Sequence, residues 1–76
     1  MIIKDEIFTV LRQNYDLRKL IADKFNTREV NVYRWADRKS QNKVGNILVI
    51  KIIKKELKLS YKDIFENKIK DVSLKN

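Results

Sequence analysis

Cysteine, histidine and proline are absent from the 76 residues, and glycine occurs once, as Gly45. Without cysteine or histidine there is no disulfide framework, no usual zinc site and no thiol or imidazole chemistry. The lack of proline and the single glycine remove the strongest chain breakers, so the chain reads as helices joined by short turns, with no repeat or low-complexity segment. Long apolar runs are missing too. The run 47–53 is interrupted by Lys51 and is far too short to span a bilayer, and Met1-Ile2-Ile3 passes at once to Lys4-Asp5-Glu6 rather than to an export signal. A soluble cytoplasmic protein, away from membranes, is therefore expected. With no glycine-rich phosphate loop and no acidic cluster at metal-ligand or general-acid spacing, the sequence predicts no enzyme, metal, cofactor or small-molecule ligand.

What is abundant is positive charge: 18 lysines and arginines against 10 acidic residues, a net charge of +8. Its placement is uneven. Residues 1–26 hold five basic and four acidic side chains, residues 27–62 ten and three, and residues 63–76 three of each, so +7 of the excess lies in the middle. A polyanionic partner is the natural reading of that patch, although lysines at 51, 54, 55 and 58 serve solubility equally well. Lysine, isoleucine and asparagine make up thirty residues, and their AT-rich codons point to an AT-rich bacterial or phage genome.

Apolar periodicity places a first helix at about 4–13, with Ile7, Phe8, Leu11 and Val10 toward the core. Asp16 is positioned to cap a second helix over 17–25, whose buried stripe is Leu17, Leu20, Ile21 and Phe25. Thr27 is the expected cap of a third helix reaching about residue 39, before a break at Ser40-Gln41-Asn42. The segment 44–57 is rich in β-branched residues, as strands are. Its apolar residues nevertheless spread round a helical wheel and run on into Lys54-Lys55-Glu56-Leu57, so a helix covered on most sides is predicted. One face would pack on the first three helices and the other would meet a second copy. Ser60 and Asp63 form a capping-box-like start for a last helix, 61 to about 69, with Ile64 and Phe65 in the core and residues 70–76 a frayed tail. The fold expected is an all-α bundle of four to five helices in a single domain over 1–76, small enough to gain from dimerisation.

Within this series, Ala22 provides a small residue for a close helix crossing and Asn26-Thr27-Arg28 a bend. Val32 and Trp35 point back from the helix that follows. Glycine is usual in such a bend because the chain there favours positive φ, and Asn26 is among the few other residues that tolerate it. This arrangement resembles the helix-turn-helix of Cro- and cI-type phage and bacterial repressors. A fourth helix, then Leu-Lys-Leu-Ser and a short helix with Asp-Ile-Phe, resembles the end of those domains, so the likeness covers roughly residues 5–66. An ordinary helical hairpin shares the apolar spacing, and the charge of the outer face separates the two. That face carries Val30, Tyr33, Arg34, Asp37 and Gln41, flanked by Glu29, Asn31 and Arg38.

The resemblance implies that the third helix enters the major groove of double-stranded DNA and that a dimer occupies a palindromic operator as a transcriptional regulator. By position the base-facing residues are Arg28, Glu29, Val30, Tyr33 and Arg34. Arg34 can bond bidentately to guanine, Glu29 can accept from cytosine or merely favour the helix dipole, and Val30 or the Tyr33 ring can pack on a thymine methyl. Tyr33 can also lie along the sugar-phosphate backbone, and Asp37 can orient Arg34 or Arg38. Arg18, Arg38, Lys39, Asn42 and Lys43 are the expected phosphate contacts, while Trp35 belongs to the core. Two rival readings remain. One is an excisionase-like architectural protein, with a β-hairpin after the recognition helix. The other is an interaction module, an antitoxin or host-factor inhibitor, acting through the apolar 44–57 segment.

Overall fold

The computed structural model describes residues 2–66. The chain opens with a short strand, β1 (Ile2–Ile3), and enters α1 (Asp5–Gln13), where Ile7, Phe8 and Leu11 are buried and Asp5 and Glu6 lie in the first turn. Negative charge there suits the helix dipole. α2 (Tyr15–Lys24) begins two residues earlier than expected because Asn14, not Asp16, is its cap: the Asn14 side-chain oxygen accepts from the Leu17 N–H at 3.0 Å. α3 (Glu29–Asp37) follows an extended Arg28 rather than Thr27, whose hydroxyl accepts from the Asn31 side chain at 2.7 Å.

At the predicted break, Ser40 caps a single helical turn, α4 (Gln41–Val44). The β-branched run is helical, as α5 (Ile47–Leu57), with the Asn46 side chain accepting from the Leu48 N–H at 2.9 Å. A hairpin of the excisionase type is therefore not formed by the 47–53 run. The final helix is shorter than predicted. α6 (Tyr61–Ile64) is one turn, and Phe65, expected in that helix, instead begins β2 (Phe65–Glu66), antiparallel to β1 with Ile3 opposite Phe65. Lys4 donates its N–H to the Ile64 carbonyl at 2.8 Å, so the N-terminal strand captures the chain as it leaves α6. The expected tail, 70–76, lies outside the described residues, as does the rest of the predicted last helix.

The result is an all-α bundle of four principal helices and two single turns, with only this pair of two-residue strands among the described residues. Its core joins Phe8 and Leu11 of α1, Ile21 and Ala22 of α2, Val32 and Ala36 of α3, and Val49, Ile50 and Ile53 of α5. Ala22 and Ala36, both small, are wholly buried among the packed helices. Several packing expectations are corrected, Phe25 and Phe65 among them, which are only partly buried against the core. Leu20 is 44% exposed, because the α2 face defined by Leu17 and Ile21 points it away from the core. Trp35 flanks the core, half-buried, and meets Phe25 edge-on at 6.0 Å, while Ala36 occupies the interior.

Candidate nucleic-acid interface

The bend between α2 and α3 sets the direction of the outer face of α3. Asn26 adopts a φ of 53°, the left-handed conformation the bend requires. The Thr27 N–H reaches back to the Ala22 carbonyl at 2.9 Å and the Asn26 N–H to Asp23 at 3.2 Å, a Schellman closure of α2. Thr27 and Arg28 then lead straight into α3.

Along α3, Val30, Tyr33, Arg34 and Asp37 form one exposed stripe, opposite the buried Val32 and Ala36. Arg28 and Arg38 are exposed at the two ends of the helix. No side-chain hydrogen bond or ion pair among the described residues uses the Arg28, Arg34 or Arg38 guanidinium, so these cations face outward uncompensated. Beyond the helix, Asn42 and Lys43 are exposed on α4, and the Lys43 ammonium lies 5.9 Å above the Trp35 ring. Phe25, Thr27, Trp35, Asn42, Lys43 and Asn46 line a cleft on this side of the stripe. A basic rim and an apolar-polar central stripe can meet a duplex groove, with cations toward phosphates and Val30, Tyr33 and Arg34 toward base edges.

Three candidate residues are placed differently from the rest. Arg18 and Glu29 form an ion pair at 2.6 Å, with side chains only 12% and 26% exposed. Arg18 also donates to the Leu11 and Arg12 carbonyls at 2.8 and 2.7 Å. These are orphan acceptors of the last turn of α1, which a cation there satisfies. Lys39 points its ammonium to Asp5 at 3.5 Å, an exposed contact that solvent screens. The sequence holds no signal for the Arg18–Glu29 contact, since eleven residues separate partners on different helices.

Gln41 is a further residue whose role the sequence hides. Expected on the outer face of the third helix, it instead begins α4, accepts from the Ile3 N–H at 2.8 Å and returns its amide to the Ile3 carbonyl at 3.4 Å. Its side chain stands in for a neighbouring strand along β1.

Among the described residues, no group of three or more acidic side chains is placed to hold a metal ion, and no helix is long and apolar enough to cross a membrane. Comparison of the chain with protein-family models, curated proteins and solved structures returns no match.

Proposed function

We propose that this protein is a sequence-specific double-stranded DNA-binding transcriptional regulator of the Cro and repressor kind. It acts in the cytoplasm as a dimer on a palindromic operator. The observation that carries the reading is the α2–bend–α3 unit. Asn26 turns the chain so that Val30, Tyr33 and Arg34 lie along one exposed face, with Arg28 exposed where α3 begins, all within the basic 27–62 region. Arg34 reads a guanine, Arg28, Val30 and Tyr33 contact base edges, and Arg38, Asn42 and Lys43 hold the phosphates. Occupancy of the operator by two copies, with their α3 helices about 34 Å apart, blocks or recruits polymerase.

The test is selection of bound duplexes from a random pool, by the natural protein and by Arg34→Ala, at two salt concentrations. The expected outcome is a palindrome whose preference relaxes at one base pair in the variant, a loss of about 1–3 kcal/mol of discrimination. Equal, weak and unselective binding by both proteins would leave α2 and α3 as a scaffold and transfer the function to a protein partner.

A further inference from the structure

We propose that Arg18 is a positioning residue for this reading: without touching DNA, its guanidinium fixes where the Tyr33 ring and the first turn of α3 meet the bases. The inference rests on the DNA-reading function proposed above. It starts from how fully the guanidinium is engaged. Its Nε donates to the Glu29 carboxylate at 2.6 Å, and one Nη donates to both the Leu11 and Arg12 carbonyls. Its central carbon also lies over two aromatic rings, 5.7 Å from the Tyr15 centroid and 5.4 Å from that of Tyr33. Both separations fall within the range of cation–π attraction.

One side chain thus ties together the end of α1, the start of α2, the first turn of α3 and the ring one turn further along α3. A guanidinium serves these partners together because its Nε and Nη donate in fixed, separated directions while its centre lies near both rings, whereas an ammonium gathers all its donors at one point. A phosphate could approach only the second Nη, on a side chain just 12% exposed whose Nε and first Nη are already donated within the protein. Tyr33, by contrast, is 39% exposed, so the ring Arg18 holds is still open to a ligand. Glu29 has the matching role, turning the first-turn backbone of α3 toward Arg18 rather than accepting from a cytosine.

The experiment repeats duplex selection, with affinity measured against salt, for Arg18→Lys, Glu29→Gln, Tyr33→Ala and the Arg18→Lys/Tyr33→Ala double variant. Arg18→Lys is expected to relax preference at the same base pair as Tyr33→Ala, by roughly five- to tenfold, the share of one modest base contact. The double variant should relax no further than Tyr33→Ala alone, because the two changes remove one interaction. The salt slope should not change. Glu29→Gln keeps an acceptor oxygen for Arg18, so it should stay folded even if Arg18→Lys does not, and should relax the same base pair more weakly.

A salt slope lowered by about one with preference intact would make Arg18 a phosphate contact and overturn the proposal. Relaxation at a different base pair in Glu29→Gln would make Glu29 a reader and overturn it too. A lowered melting temperature with unchanged preference would leave Arg18 a brace and nothing more. If the natural protein itself enriches no duplex, and Arg34→Ala behaves identically, the DNA-binding function falls and this role with it.

Discussion

Gly45, the single glycine, sits at a φ of −78°, while Asn26, Lys39 and Lys58 take the left-handed conformation glycine would accept without strain. Each of those three closes a helix, with an N–H to a carbonyl five residues back: Thr27 to Ala22, Ser40 to Trp35 and Leu59 to Lys54. A Cβ in this conformation crowds the next carbonyl, so Lys58→Gly is expected to stabilise the fold by about 1 kcal/mol. Gly45 is required for a different reason. A Cβ there would lie 2.3 Å from the Gln41 carbonyl oxygen, which already accepts the Gly45 N–H at 2.8 Å, and 3.6 Å from the Ile3 side chain. Gly45→Ala must therefore shift α4 and the Gln41 clamp on β1, at a cost of about 1–3 kcal/mol. Thermal unfolding followed by circular dichroism compares the two, with about 4–8 °C expected per kcal/mol in a domain of this size. A Gly45→Ala protein melting with or above the natural one would show that the contact at Gln41 yields without strain.

At the level of elements, α6 depends on one carboxylate. Asp63 accepts from the Ser60 N–H at 2.9 Å and from its hydroxyl at 3.1 Å, and the backbone bond, then the hydroxyl bond, hold its carboxyl below the ordinary value of 3.8. Lys4 and Lys62 add smaller pulls in the same direction. Because the folded value is depressed, this stabilisation is complete above about pH 3.8 and is lost as pH falls through the lower folded value. An NMR titration should show the Asp63 carboxyl and the Ser60 amide shifting together below 3.8, and Asp63→Asn should abolish the amide's acid limb. Titration at or above 3.8 would mean that the capping bonds do not favour the charged form. Asp63 and Ser60 were legible in the sequence because the bonds are local. So was the helical state of the β-branched run, whose apolar residues fit a wheel covered on most sides. The β1–β2 pairing was not legible, since Ile3 meets Phe65 across the whole domain and two-residue strands leave no period to detect. The same limit divides the candidate site. The outer stripe of α3 follows from spacing alone, whereas the commitments of Arg18 to Glu29 and of Gln41 to Ile3 exist only once helices are packed.

For the whole molecule, two forces act in opposite senses with salt. A net charge of +8 makes two copies repel, while the outer face of α5 offers Ile47, 59% exposed, and Leu48, 39% exposed, beside the cleft where Leu20 and Ile52 meet. If that face is the dimer contact, added salt screens the repulsion and leaves the apolar attraction, so the dimer should tighten as salt rises. If the protein binds DNA as proposed, its affinity for a duplex should fall over the same range, because phosphate contacts would release counterions. Sedimentation without DNA and binding to an operator duplex, each across a salt series, should therefore give slopes of opposite sign. Leu48→Glu places a carboxylate on the apolar contact without touching α3, so it should leave the protein monomeric and still able to protect a single half-site. A dimer that survives Leu48→Glu would move the contact to another surface. A protein monomeric at every salt concentration would remove the two-fold operator from the proposed function, and each α3 would then have to find its half-site alone, with only its own contacts to discriminate against the rest of the duplex.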